Sequence, residues 1–273
     1  MKNNFLTRVA TSVVFVIVLI GGSLWHPGSF FVLFFTIVAL GLTEFYRINK
    51  TGQYNPQVFP GVAIGLLMFT GLFLIAANKT ENKMLLILIP LIIIICIIEL
   101  FRKQKDPFVN VALTIFGAVY VAVPFGLLSY FVFNQKLGAD YNPSLLITYF
   151  AIIWINDSGA YLVGSAIGKN RLFERISPKK SWEGFIGGAV FSILAAYGAS
   201  IVVSQIGLIH WIVIALITVV FGTLGDLFES LLKRSTNIKD SGNILPGHGG
   251  ILDRFDSLLL SAPIVFVYLM LFA

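Results

Sequence analysis

The chain has 273 residues, of which 57% are hydrophobic and 12% charged, against about 25% charged in an ordinary soluble domain. That composition excludes a soluble globular domain, a coiled coil and a disordered chain. Apolar runs such as 84–100, MLLILIPLIIIICIIEL, indicate a polytopic membrane protein, since a spanning helix needs about 20 mostly apolar residues. The net charge of +6 therefore reads first as membrane topology, and nucleic acid is not an expected partner.

Hydropathy windows of about 19 residues predict nine spans: 5–24, 29–45, 58–77, 84–100, 108–133, 144–167, 185–204, 208–232 and 257–272. The first follows Lys2 and Arg8 but no small-x-small cleavage site, so it reads as a retained helix and not as a signal peptide. Cys96 lies within an Ile run of the fourth span and is expected to pack as a small hydrophobe. Pro124 is expected to kink or divide the fifth span. The fold class expected is an all-α polytopic integral membrane protein. It forms a single membrane domain, 1–273, with N-terminal helices in 1–143 and catalytic helices and loops in 144–273.

With nine spans, all of the 19 basic residues except Lys79, Lys83 and Lys136 fall on one membrane face. Lys and Arg near helix ends stay in the cytoplasm, so the N-terminus is expected inside and the C-terminus outside. The longest polar stretches follow spans six and eight, both on the cytoplasmic side.

Eight of the 13 acidic residues lie beyond position 150. Asp157 sits in the middle of the sixth span, where an ionised carboxylate costs about 2.5–3.5 kcal/mol and calls for a polar surrounding and a partner. Asp226, Glu229, Ser230 and Lys233, near the end of the eighth span, share one helical face; ion pairs at an interfacial helix end would also account for them. Asp253 and Asp256 open the ninth span, where acids can cap a first turn. Both helix ends fall on the same membrane face, and converging carboxylates there suit Mg2+, which takes one or two carboxylates and completes its shell with phosphates and water.

Between those helix ends runs Leu245-Pro-Gly-His-Gly-Gly250, whose glycines would let backbone N–H groups approach phosphate oxygens or would simply make a flexible linker. The loop after span six, with ISPKKSWEGF at 176–185, is basic, which topology and anionic lipid alone would explain. Trp182 reads as an interfacial anchor. Gly164 with Gly168, and Gly184 with Gly188, have the small-xxx-small spacing of closely packed helices.

The stretch 230–256, SLLKRSTNIKDSGNILPGHGGILDRFD, resembles the signature of the phosphatidate cytidylyltransferases, the CDP-diacylglycerol synthases. Its fixed positions are Ser230, Lys233-Arg234, Lys239-Asp240, Pro246, His248-Gly249-Gly250 and Asp253-Arg254-Phe255-Asp256. Gly225-Asp226, Asn156-Asp157-x-Gly-Ala-Tyr161 and Ser177-Pro-Lys-Lys-Ser-Trp-Glu-Gly184 are similar to further family segments. The resemblance covers 154–257; the first five spans match in hydrophobicity alone.

The resemblance implies Mg2+-dependent reaction of CTP with phosphatidate in the cytoplasmic leaflet of a bacterial inner membrane, giving CDP-diacylglycerol and pyrophosphate. It carries metal binding to Asp226 and Asp253, with Asp256 assisting. Lys233, Arg234, Lys239 and Arg254 are the expected phosphate contacts, and Ser230, Asp240 and His248 join the candidates as fixed positions of the pattern. Gly249 and Gly250 are expected to donate backbone N–H groups, and Lys179, Lys180 and Ser181 to complete a substrate pocket. Asp157 supports a polar cavity and is the candidate for reaching a second cation. Membrane lipids are expected partners, and a homodimer is compatible with the sequence. The rival from another class is an ion-coupled transporter relaying cations through Asp157 and Asp226, and a nearer rival is a CTP-dependent enzyme acting on another lipid.

Overall fold

The computed structural model describes residues 2–51, 54–134, 140–242 and 249–272, with side chains at 11–50 and from 54 onward within those ranges. Helices follow the apolar runs: α1 Lys2–Trp25, α2 Pro27–Thr51, α3 Val58–Ala76, α4 Leu88–Arg102, α5 Pro107–Leu127 and α6 Ser129–Val132. The remaining helices are α7 Ser144–Ile167, α8 Trp182–Val202, α9 Leu208–Ser235 and α10 Leu252–Phe272. A 3-10 turn, Asn82–Ile87, leads into α4.

Among the described residues eight helices are long and apolar enough to cross a membrane, α5 with α6 counting as one; α1 adds the shorter apolar stretch Thr11–Trp25. The nine predicted spans each find a helix, and the all-α polytopic membrane architecture holds. Pro124 sits inside α5, where it has no N–H to give the preceding turn, and the fifth span is divided at Leu128, between α5 and α6. The polar loop after α7 holds the antiparallel strands β1 Arg171–Phe173 and β2 Ser177–Ser181. Cys96 is exposed rather than packed, because α4 buries only Ile95 and Glu99 along its length. Its apolar surroundings would then be lipid.

The chain divides into two compact units, one of residues 1–130 and 235–255, the other of residues 131–234 and 256–273. The first is packed by α2, α3 and α5 around an aromatic seam. Phe30, Phe34, Phe45, Tyr46 and Phe69 are fully buried, and Phe31 meets both Phe69 and Phe73. A Cβ at Gly61 or Gly117 would strike the Tyr46 ring, so both glycines admit that ring, whose hydroxyl donates to the Thr114 carbonyl at 2.6 Å. At the loop end of α4, Glu99 accepts from Gln57, Arg102 and Asn110 at 2.7, 2.8 and 3.1 Å, satisfying a carboxylate that would otherwise be costly to bury.

The second unit rests on the close pairing of α7 with α8. A Cβ at Gly187 would strike Val163, one at Gly159 would strike Phe191, and Gly184 lies against the Ala160 carbonyl. Of the predicted small residues, Gly164 faces Gly184 and Gly188 faces Asn156 and Ala160 across the α7–α8 contact, whereas Gly168, just past the end of α7, lies against the Gly164 carbonyl and Ser181. Gly222 and Gly225 likewise let α9 approach α10, Gly225 lying beside the Asp256 carbonyl and Gly222 beside Ser257.

Candidate active site

In the second unit one face of α9 carries the acids. Asp226, Glu229, Ser230 and Lys233 follow one another at i, i+3, i+4 and i+7, and Ser230 Oγ lies 3.4 Å from Asp226 Oδ1. Glu229, fully buried, pairs with Lys233. A buried ion pair holds when both charges are present and becomes expensive when one is removed.

Strand β2 delivers a second cation to the same face. Side chains alternate along a strand; Lys179 is exposed and Lys180 turns inward, where its Nζ lies 2.6 Å from Asp226 Oδ2. The hairpin is pinned at its base by Glu183, which accepts from the Lys169 and Asn170 amides at 3.1 and 3.2 Å and from the Asn170 side chain at 2.7 Å. Ser181 is the N-cap of α8, its Oγ accepting from the Gly184 amide at 3.2 Å. Ser181 is therefore committed to local structure, as is Glu183.

The first full turn of α10 adds a further acid. Asp256 lies within electrostatic range of Asp226, Asp157 and Glu229, and its Oδ1 accepts from the Ser257 amide at 2.6 Å. The close approach at Gly225 brings the α10 backbone against α9 at the residue preceding Asp226. Asp157 lies on the exposed side of α7 beside Asn156, whose Nδ2 is 3.4 Å from it. Four carboxylates within electrostatic range of one another, Asp157, Asp226, Glu229 and Asp256, are accompanied by two ammonium groups, Lys180 on Asp226 and Lys233 on Glu229. The formal surplus of two negative charges fits one divalent cation. The donor set is all oxygen, as Mg2+ prefers. Among the described residues no three Asp, Glu, His or Cys side chains could hold a metal by themselves. Mg2+ needs no such set, since it takes one or two carboxylates and draws its other ligands from phosphates and water.

Asp253 belongs to the first unit, where its Oδ2 accepts from the Ser241 amide and hydroxyl at 3.0 and 2.9 Å and from the Gly250 amide at 2.9 Å. All three donors lie in the loop before α10, so Asp253 ties that loop and does not cap the first turn of the helix. Gly250, expected to offer its N–H outward, gives it to Asp253. Gly249, at φ +80°, has a conformation that favours glycine, and a Cβ there would strike the Asp253 carboxylate. The two glycines therefore make room for the acid. Arg234, Lys239, Asp240 and Arg254 are exposed. His248 lies outside the described residues.

One polar residue at this loop is not singled out by the sequence. Glu44 of α2 accepts the Leu252 amide at 3.0 Å and lies 3.4 Å from Ser241 Oγ. An acid within an apolar span is the signal that marks Asp157; Glu44, the last residue but one of the predicted span 29–45, carries it more weakly.

The model of the cytidylyltransferase family matches residues 6–272 of the chain. The chain belongs to the cytidylyltransferase family. Members similar to it include a phosphatidate cytidylyltransferase of Bacillus subtilis, 36% identical across 100% of this chain and 99% of that one. The phosphatidate cytidylyltransferases of Staphylococcus haemolyticus and Staphylococcus aureus are 33% and 34% identical, each across 98% of this chain and 99% of their own length. The family match takes in the first five spans, where the motifs had offered no resemblance.

Proposed function

We infer that this cytidylyltransferase catalyses CTP + phosphatidate → CDP-diacylglycerol + pyrophosphate, as an integral membrane protein. A phosphate oxygen of phosphatidate bonds to the α-phosphorus of CTP, the bond from that phosphorus to the β-bridging oxygen breaks, and pyrophosphate leaves. The observation that carries the reading is full-length similarity to phosphatidate cytidylyltransferases, in a chain whose second unit pairs carboxylates with Lys180 and Lys233 along α9.

The nucleophile is already ionised at neutral pH, so no strong base is required, and catalysis becomes a matter of positioning two polyanions and screening their repulsion. Asp226 and Asp256 are proposed as ligands of Mg2+, with Asp253 proposed as a further ligand on the resemblance of its motif and Asp157 as the candidate for a second cation. Bound there, Mg2+ would neutralise phosphate charge and favour departure of pyrophosphate. Lys180, paired with Asp226, is proposed to exchange that partner for a phosphate of the substrate. Lys233 keeps Glu229 compensated and so fixes the α9 face. Arg234, Lys239 and Arg254, exposed on the loop side, are proposed to contact phosphate oxygens, Arg by bidentate pairing. The basic-residue asymmetry supports an active site facing the cytoplasm, and the bacterial relatives support an inner-membrane location.

Purified protein in nanodiscs, given CTP, Mg2+ and a panel of anionic and polyprenyl lipids, tests the reading. Pyrophosphate release that depends on phosphatidate is expected. Release with another lipid and none with phosphatidate would defeat it, as would cation flux in sealed vesicles without CTP consumption.

A further inference from the structure

Glu44 is a charged group for which the reaction above has no use. It is 4% exposed on a mostly apolar helix, where a carboxylate persists only if something needs it. Its Oε2 accepts the Leu252 amide at 3.0 Å and stands 3.4 Å from Ser241 Oγ. Its Oε1 accepts no hydrogen bond and packs against two glycines of the signature loop. A Cβ at Gly242 would lie 2.6 Å from Oε1, and one at Gly250 would lie 2.5 Å from each oxygen. One side chain, about 200 positions away in sequence, thus fixes both described ends of the loop, residues 241–242 and 250–252.

Asp253 is held by the same pieces, since the three donors to its Oδ2 are the Ser241 amide, the Ser241 hydroxyl and the Gly250 amide. The Ser241 hydroxyl sits between the two carboxylates and has one hydrogen. The shorter contact, to Asp253, takes it, while Glu44 sets the place from which it is given. We propose that Glu44 is a positioning residue for cytidylyl transfer, holding residues 241–242 and 250–252 in the places from which Ser241 and Gly250 bind Asp253. The proposal rests on the activity inferred above. Glu44 acts through Ser241 and Leu252 and does not touch the reacting atoms.

Among the described residues the donors at the Glu44 carboxylate are the Leu252 and Ile251 amides and the Ser241 hydroxyl, so the geometry asks residue 44 for an acceptor oxygen and a fitting volume, which a Gln side chain also supplies. Glu44→Gln therefore retains the function and Glu44→Ala loses it. In the metal-free protein, amide hydrogen exchange across 241–253 is expected to rise about 10-fold or more in Glu44→Ala as the loop loses its anchor. With Mg2+ present, kcat should fall about 10- to 100-fold, as for a misplacement near 1 Å, and half-saturating Mg2+ should rise, while KM for phosphatidate stays within about twofold. Glu44→Gln should remain close to wild type in all four quantities. Ser241→Ala, which leaves Glu44 in place, should show the same pattern at smaller size and keeps the test open should Glu44→Ala fail to fold. Wild-type exchange and Mg2+ dependence in Glu44→Ala would overturn the proposal, and so would Glu44→Gln behaving like Glu44→Ala. If wild-type protein released no pyrophosphate, the inferred activity would fail, while the exchange measurement would still decide what Glu44 does to the loop.

Discussion

Gly225 and Gly222 offer a matched pair of substitutions on one helix face. A methyl group at Gly225 would collide with the Asp256 carbonyl oxygen, with the carbonyl carbon 3.2 Å and the Ser257 Cα 3.4 Å away. All three are backbone atoms, so no rotamer change relieves the clash and α9 and α10 must separate by about 1 Å to restore ordinary contact. Overpacking of this kind costs about 1–3 kcal/mol. The larger effect is on rate, because Asp226 and Asp256 move apart, and a 1 Å misplacement can cost about 10²-fold. At Gly222 the added methyl would meet Ser257 Cβ at 3.4 Å, an ordinary contact. Gly225→Ala should therefore lower phosphatidate-dependent pyrophosphate release by about 10²-fold, and Gly222→Ala should leave it nearly unchanged. Both variants would be assayed in nanodiscs at saturating CTP and Mg2+, with thermal unfolding followed in parallel. Wild-type rates in Gly225→Ala, or equal losses in the two variants, would refute the view that close helix approach assembles the carboxylates.

Other substitutions read separate parts of the molecule. Lys233→Met leaves Glu229 buried without its ammonium partner and should cost about 3–5 kcal/mol of stability, seen as a drop in unfolding temperature, whereas Lys233→Met with Glu229→Leu should recover much of it. Lys180→Ala breaks an ion pair that is about one-third exposed, so stability should change by about 1 kcal/mol or less, while kcat/KM should fall by about 10-fold or more as a phosphate contact is lost. Tyr46→Phe removes the donor to the Thr114 carbonyl and should destabilise the first unit by about 1–3 kcal/mol, with kcat unaltered in the protein that remains folded.

The helices were legible in the sequence because apolar length alone decides a membrane span, and the regular face of α9 because i, i+3, i+4 and i+7 repeat on any helix. The hairpin 171–181 was not: strands of three and five residues leave too little alternation to stand out from a basic loop. Nor was the division of labour between Asp253 and Asp256. Three residues apart, they looked like one pair, yet Asp253 is tied to its own loop by Ser241 and Gly250, and Asp256 lies within electrostatic range of the carboxylates of α7 and α9. That difference depends on where Ser241, Gly250 and Gly225 fall in space, which spacing along the chain does not encode. Glu44 was missed for a related reason. Its partners lie about 200 residues away, and hydropathy alone marks it as one acid in a greasy helix.

The inferred reaction is tested most directly by following label from CTP. With CTP labelled at the α-phosphate, purified protein, Mg2+ and phosphatidate, radioactivity should move into the chloroform-soluble lipid, and with CTP labelled at the γ-phosphate it should remain in water as pyrophosphate. Label from the γ-phosphate in the lipid, or none from the α-phosphate, would contradict cytidylyl transfer to phosphatidate.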